Sequence, residues 1–200
     1  YRFTPSMSWL QPDGTPAREL ASMQNRINLS IPASKKLFAQ VDTPLDDIFK
    51  LAAVNRPLPR MDLGMSMRMF KKSVRSEVAS SNVVGMIEGG DPALKHEYVV
   101  FTAHLDHLGQ FKERSGDNIY NGAMDNASGV ATLIEAARLF TRSGVRPKRS
   151  ILFVAVTGEE KGLLGADYFA TNPTVPRGSM VANVNLDMPL LVFDFNNVMA

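Results

Sequence analysis

The stretch SILFVAVTGEEKGLLGADYF, residues 150–169, joins an uninterrupted apolar run to a pair of acidic residues. The residues from Ile151 to Val156 are all apolar, and Glu159 and Glu160 follow after two intervening residues. An apolar run of this length predicts a strand buried on both faces, as in a parallel sheet covered by helices. Burying one carboxylate is costly and two neighbouring ones repel each other. The position of this glutamate pair, at the end of a predicted core strand, therefore requires an explanation.

Strands and helices alternate around this stretch. Residues 98–103 and 181–187 are predicted as strands, 160–172 as a helix, and 125–144 as the clearest helix, which Gly144 can end. The apolar positions of that helix recur with helical spacing and are expected on one buried face: Val130, Leu133, Ile134, Ala137 and Phe140. The order of elements predicts an α/β domain with a partly parallel sheet covered on both faces.

The segments before this core predict two helices and two or three strands. PASKKLFAQ (32–40) and TPLDDIFKLAAVN (43–55) predict short helices, the second capped by Thr43 ahead of Pro44. Residues 64–80 predict a half-buried strand, because Met65, Met67 and Met69 alternate with polar residues and are expected to fill the core rather than bind a soft metal.

Two further runs, 82–89 and 97–104, are predicted as strands separated by a turn signal at Asp91-Pro92. Because the connection between them is short, we expect these two strands to pair with each other directly.

Composition excludes several classes of function. The chain has 200 residues, 44% of them hydrophobic, which fits one α/β domain or a domain plus a fragment. A net charge of +2 implies no general attraction for nucleic acid. The absence of cysteine excludes thiol catalysis, cysteine-ligated metals and disulfides. No apolar run approaches the roughly 18 residues of a membrane span, and the start at Tyr1 leads us to expect a piece of a longer protein.

Acidic and imidazole side chains collect at the ends of the predicted strands. They are His104 and Asp106 after one strand, Glu159 and Glu160 after the next, Asp187 after the last, and Asp125 before a helix. Ligands of open α/β sheets bind outside the carboxyl ends of the strands. Clustered carboxylates would raise one another's pKa, and a bound cation reverses that effect. Imidazole with oxygen donors suits Zn²⁺, Mn²⁺ or Co²⁺, although each motif alone also fits a hydrogen bond, a solvated helix start or a helix cap.

Four segments carry a family resemblance: AHLDHLG (103–109), NGAMDNASGVA (121–131), TGEEKGLLGADYF (157–169) and NLDMP (185–189). As an ordered set, spanning 82 to 190, they resemble the zinc aminopeptidase family twenty-eight of the metallopeptidases, which includes bacterial leucyl aminopeptidases and the glutamate carboxypeptidases. The resemblance implies a zinc-peptidase, phosphorylase/hydrolase-like fold, which is a three-layer α/β/α sandwich around a mixed, partly parallel sheet.

The resemblance also implies a role for each acidic or imidazole residue. It implies two zinc ions per complete site, with the metal ligands His104, Asp125, Glu160 and Asp187, the general base Glu159, and Asp106 as the partner that orients the His104 ring. Asp125 would bridge the two metals, and the Asp125–Asn126 peptide would be cis. The implied activity is a metal-dependent exopeptidase, in the first place an aminopeptidase acting on peptides.

One residue of the family pattern has no counterpart here. The family takes a histidine ligand of the second metal from a loop near its C-terminus, whereas this chain has only His96, His104 and His107. His96 is expected at the opposite edge of the sheet, and His107 is expected to pack or hydrogen-bond near the site. We therefore expect this fragment to bind one zinc well and the second weakly or not at all, with little activity.

The sequence leaves three alternative functions open. A glutaminyl-cyclase-like acyltransferase and a metal-free binding protein share the implied fold, and a non-enzymatic α/β domain with surface acids fits each motif singly. Residues 61–200 are expected to form a catalytic domain incomplete at its C-terminus. Residues 1–60 are expected to be an N-terminal segment, either the end of a protease-associated insert or an ordinary extension. The resemblance further implies a periplasmic or secreted location, while oligomeric state is left undetermined.

Overall fold

The structure, a computed structural model, describes residues 6–17, 27–66, 68–70, 72, 74–111 and 115–189. These residues fall into two compact units, one drawn from 1–18 and 77–200 and the other from 19–76. The smaller unit contains two helices in contact, α1 (Ile31–Phe38) and α2 (Leu45–Ala53), as predicted. Pro44 occupies the N-cap position of α2, and its side chain makes no capping hydrogen bond. The predicted Thr43 cap is therefore wrong by one residue.

The strand predicted over 64–80 is wrong. No described residue of this range lies in a strand, and Met67, Lys71 and Ser73 lie outside the described residues. Met65 and Met69 are 42% and 45% exposed, and Phe70 and Val74 are 94% and 90% exposed, so these four described residues fill no core. An alternating pattern forms a strand only where a second strand pairs with its backbone groups, and no such partner is described beside this segment.

The larger unit is built on a four-stranded sheet. Its strands are β1 (Val83–Ile87), β2 (Tyr98–His104), β5 (Ser150–Val156) and β6 (Met180–Asn185), in the order β1-β5-β2-β6. The two strands β3 (Gly109–Gln110) and β4 (Ile119–Tyr120) form a separate hairpin. β2 runs parallel to both β5 and β6, whereas β1 is antiparallel to β5. The sheet is therefore mixed and partly parallel, as predicted.

The direct pairing expected between β1 and β2 is wrong, because β5 lies between them. β5 is the most apolar strand, and every residue in it except Ala155 is buried, so a central position removes the most apolar area from water. Ser150, the first residue of β5, links the segments of β1 and β2. Its Oγ accepts a hydrogen bond from the Gly89 N–H, just after β1, at 3.0 Å and donates one to the Lys95 carbonyl, just before β2, at 2.6 Å.

One helix covers each face of the sheet. Phe153 and Ile151 pack on Leu133 of α3 (Ser128–Arg142), and the alternate residues of β5 pack on Phe169 of α4 (Leu164–Thr171). The larger unit is thus a three-layer α/β/α sandwich, as predicted. Ile134 is 60% exposed, so its predicted place on the buried face of α3 is wrong, and the buried stripe is narrower than the apolar pattern.

Candidate metal centre

The parallel strands bring the predicted site residues to one edge of the sheet. β5, β2 and β6 all end at this edge, which is where open α/β sheets bind ligands. His104 is the last residue of β2, a short 3₁₀ turn (Glu159–Lys161) follows β5, and Asp187 follows β6. Asp125 lies in the turn Ala123–Ala127 that precedes α3.

Three of these side chains form a first donor triad. His104 Nε2 lies 3.0 Å from Asp125 Oδ1 and 3.5 Å from Asp187 Oδ1. Metal–donor bonds of about 2.0–2.2 Å at tetrahedral angles separate neighbouring donors by about 3.4 Å, so the spacing fits a shared cation. His104 is only 4% exposed, and its Nε2 has no hydrogen-bond partner among the described residues. A buried imidazole nitrogen and two carboxylate oxygens are a donor set that can hold a divalent metal ion.

The His104 ring is held by its other nitrogen. Nδ1 lies 2.9 Å from the backbone carbonyl of Asp106, and donation from Nδ1 leaves Nε2 free to bind a cation. The Asp106 carboxylate lies 4.0 Å from Nδ1 and instead accepts the Glu159 N–H at 3.1 Å. Asp106 thus contacts the ring through its backbone, while its side chain ties the β2 loop to the turn that carries Glu159.

A second donor triad shares Asp125. His107 Nδ1 lies 2.8 Å from Glu160 Oε1 and 3.9 Å from Asp125 Oδ2, so the two oxygens of Asp125 face different imidazoles. The two triads, His104–Asp125–Asp187 and His107–Asp125–Glu160, each place all three donor atoms within 4.8 Å of one another. Sequence reasoning missed His107 as a member. The available signal was its position three residues after His104 in the same strand-end loop.

Asn126 is a second residue that sequence reasoning missed. It is 2% exposed, and its Oδ1 accepts hydrogen bonds from the backbone N–H groups of Gly129 and Met188. Its Nδ2 donates to the Leu186 carbonyl at 2.8 Å. These bonds join the turn before α3 to the end of β6, and so hold Asp125 and Asp187 side by side. The Asp125–Asn126 peptide is cis, as the resemblance implied.

Glu159 lies outside both donor triads. Burial raises the pKa of its carboxyl group; the charge of His104 opposes this, while those of Glu160, Asp187 and Asp125 add to it. A carboxyl group with a raised pKa takes up a proton more readily than an ordinary glutamate.

The electrostatics of His104 also favour a positive charge at the site. Burial alone would lower the pKa of its imidazole. The hydrogen bond to the Asp106 carbonyl and the charges of Glu159, Asp187 and Asp125 outweigh burial and raise that pKa above its ordinary value. A cation bound between the carboxylates would supply the positive charge in place of this proton.

Comparison with known proteins identifies the family. The model of peptidase family M28 matches residues 82–190, which is more than half of the chain. The chain belongs to peptidase family M28. All the residues of the two donor triads, together with Asp106 and Glu159, lie within the matched range.

Relatives of this M28 chain include a probable zinc metalloprotease and a leupeptin-inactivating enzyme. It is 46% identical over 67 residues to a probable zinc metalloprotease of Pyrenophora tritici-repentis, covering 34% of this chain and 15% of the relative. It is 31% identical over 108 residues to leupeptin-inactivating enzyme 1 of Streptomyces exfoliatus, covering 54% of this chain and 22% of that enzyme. The matched region therefore spans less than a quarter of either relative.

Among solved structures, this M28 chain is similar to BSAP, a zinc aminopeptidase from Bacillus subtilis. The two are 30% identical, with a TM-score of 0.41 and coverage of 54% of this chain and 24% of that protein. LapB from Legionella pneumophila gives the same identity and TM-score, with coverage of 54% and 26%. None of the helices in the described part of the chain has the length and apolar character needed to cross a membrane.

Proposed function

We propose that this M28 chain carries the catalytic centre of a zinc-dependent exopeptidase, in the first place an aminopeptidase. The observation that carries the proposal is a pair of imidazole–carboxylate triads that share Asp125, with the additional carboxylate Glu159 beside them and outside both. The printed name of the Pyrenophora relative, a probable zinc metalloprotease, supports zinc as the metal. Peptides would be the substrate, and a periplasmic or secreted location stays a prediction.

The proposed ligands divide between two zinc ions. His104 and Asp187 would hold the first, Glu160 would hold the second, and Asp125 would contribute one oxygen to each. Zinc ions so held supply Lewis acidity, which polarises a peptide carbonyl and lowers the pKa of water so that hydroxide is available near neutral pH. The buried His104 Nε2 supports this assignment, because it faces the carboxylates of Asp125 and Asp187 and has no hydrogen-bond partner among the described residues.

Glu159 is proposed as the general base. Its carboxylate would accept the proton of the attacking water and return it to the nitrogen of the leaving amine. A glutamate bound to a metal would be a poor base, and Glu159 belongs to neither triad. The Asp106 carboxylate positions it by accepting the Glu159 N–H. The raised pKa of Glu159 suits a group that must hold a proton for part of the cycle.

Substitution of the base tests the proposal. We expect Glu159→Gln to lower the rate of hydrolysis of aminoacyl-nitroanilides by about 10²–10⁴-fold, because the amide cannot accept the proton. Zinc content should be unchanged, because Glu159 is not a proposed ligand. Glu135→Gln on α3, where the glutamate is paired with Arg138, is the matched control and should keep the full rate. A fully active Glu159→Gln chain would refute the assignment of the base. Cyclisation of peptides with N-terminal glutamine, without hydrolysis, would instead favour the acyltransferase alternative.

A further inference from the structure

His107 points a buried nitrogen into the candidate metal centre. Its side chain is 19% exposed, and the Nδ1 atom is buried with no hydrogen-bond partner among the described residues. The 2.8 Å contact with Glu160 Oε1 is short, but it is not aligned as a hydrogen bond. Histidine nitrogens and carboxylate oxygens are both zinc ligands, so these two atoms are able to bind a common cation.

The donor atoms of His107, Asp125 and Glu160 lie close enough together to share one divalent cation. His107 Nδ1 lies 2.8 Å from Glu160 and 3.9 Å from Asp125, on either side of the separation of about 3.4 Å between tetrahedral donors. The Asp125 oxygen that faces His107 is Oδ2, whereas Oδ1 faces His104. The second triad therefore does not compete with the first for the same atom.

The surrounding chain fixes the position of the His107 ring. Gly122 adopts a positive φ of 65°, and a Cβ there would lie 2.9 Å from both Cβ and Cγ of His107 and 2.6 Å from the Asp125 carbonyl. The ring of Tyr120 on β4 lies 6.3 Å from the imidazole and packs in turn on Phe111 at 4.9 Å. The glycine lets the loop close over His107, and the aromatic pair supports the ring from the hairpin side.

We propose that His107 supplies, through Nδ1, the imidazole ligand of a second divalent cation, with Asp125 and Glu160 as its other protein ligands. The inference rests on the proposed function, since it completes the second half of the same metal centre. It also opposes the expectation drawn from the sequence, in which the second site lacks an imidazole in this fragment and binds metal weakly or not at all. His107 is a ligand that the family pattern does not include.

Metal stoichiometry gives the first test. The full chain is stripped of metal, loaded with zinc, dialysed and analysed for bound metal. We expect two zinc ions per chain, and one in His107→Asn, with the second bound more than about 100-fold more weakly, because even the loss of an outer hydrogen-bond partner costs about 10–100-fold. The matched control is His96→Asn, which changes an exposed histidine outside both triads and should keep two. Equal zinc content in wild type and His107→Asn would overturn the proposal.

Spectroscopy with cobalt gives the second test, and the absence of cysteine from the chain makes it unambiguous. In His107→Cys loaded with Co²⁺, a thiolate at position 107 that reaches the cation should produce a thiolate-to-cobalt charge-transfer band. In the His107→Cys background, a second substitution Glu160→Gln should weaken this band. Asp187→Asn in the same background should leave the band unchanged, because Asp187 belongs to the other triad. His96→Cys is the control and should show no band.

The outcomes distinguish a failure of the proposed function from a failure of the role of His107 alone. A wild-type chain that binds no metal overturns both this inference and the proposed function. A chain that binds metal and requires Glu159 for hydrolysis, but shows no band in His107→Cys, overturns only the role of His107. Circular dichroism and thermal unfolding of each variant establish that it is folded before its metal content is compared. A band that depends on Glu160 supports the proposal.

Discussion

Glu159 and Glu160 are adjacent in the chain but lie in different surroundings. Glu160 Oε1 is 2.8 Å from His107 Nδ1, whereas Glu159 belongs to neither donor triad. The cause is local: both lie in a 3₁₀ turn that starts after Gly158, whose φ is 66°, and successive side chains on such a turn point about 120° apart. The backbone thus points the two carboxylates in different directions, and the acidic pair becomes one proposed ligand and one proposed base.

Asp125 is the acidic residue on which both donor triads depend. We expect Asp125→Asn to lower zinc content to less than one ion per chain, because an amide is a much weaker zinc ligand than a carboxylate and both sites lose an oxygen donor. Asp187→Asn should weaken only the first site. Metal analysis after dialysis measures both effects.

The control for this prediction is Asp117→Asn. Asp117 accepts the Ile119 N–H at the start of β4 and lies outside both triads, so its zinc content should equal that of wild type. Full zinc content in Asp125→Asn would mean that Asp125 is not shared between metals.

The corner between β5 and α4 depends on close backbone packing. The Gly165 N–H donates to the Thr157 carbonyl at 2.8 Å, and the Asn82 side chain accepts the Thr157 N–H and donates to the Gly165 carbonyl. A Cβ on Gly165 would lie 2.3 Å from the Thr157 carbonyl oxygen and 2.5 Å from Asn82 Oδ1. The turn Glu159–Lys161 lies between these contacts along the chain, so the corner positions both glutamates.

We expect Gly165→Ala to lower the free energy of unfolding by about 1–3 kcal/mol, as other overpacking substitutions do, and to lower zinc affinity through displacement of the glutamate turn. Gly85→Ala on β1 is the control, since a Cβ there has open space around it, and it should change stability by less than about 0.5 kcal/mol. Denaturant unfolding with and without zinc measures both effects. If Gly165→Ala unfolds at the same denaturant concentration as wild type, the corner is more adaptable than its contacts indicate.

The assembled sheet edge concentrates negative charge from segments far apart in the chain. The turn before α3, the end of β5 and the end of β6 deliver Asp125, Glu159, Glu160 and Asp187 to one place, with the imidazoles of His104 and His107 facing them. Folding without a cation therefore brings like charges together, which disfavours the folded state, whereas folding with a bound cation does not.

We expect zinc to raise the thermal unfolding temperature of the larger unit and a chelator to lower it. A ligand that binds one site of the folded state at 100 times its dissociation constant stabilises it by about 2.7 kcal/mol. Scanning calorimetry at increasing zinc concentration measures the shift, and a buffer series in the same instrument should show protons released from the imidazoles on binding. A zinc shift of the same size in Asp125→Asn would place the stabilising ion elsewhere.

Local patterns in the sequence were sufficient to predict the buried strand β5, the helices α3 and α4, and the two short N-terminal helices. They succeeded because an apolar run or a helical spacing reflects burial that each element carries within itself. They failed at 64–80 and at the proposed pairing of β1 with β2, because strand formation and strand order depend on partners that are distant in sequence.

Only the folded chain decided which donors face one another. The sequence places His107 three residues after His104, and this spacing is compatible with simple packing or with a role at the metal centre. The β3–β4 hairpin, Gly122 and Asn126 together turn the His107 ring and the two oxygens of Asp125 toward a common space. Those contacts join residues from separate elements, and their geometry exists only once the parallel strands have brought their ends to the same edge of the sheet.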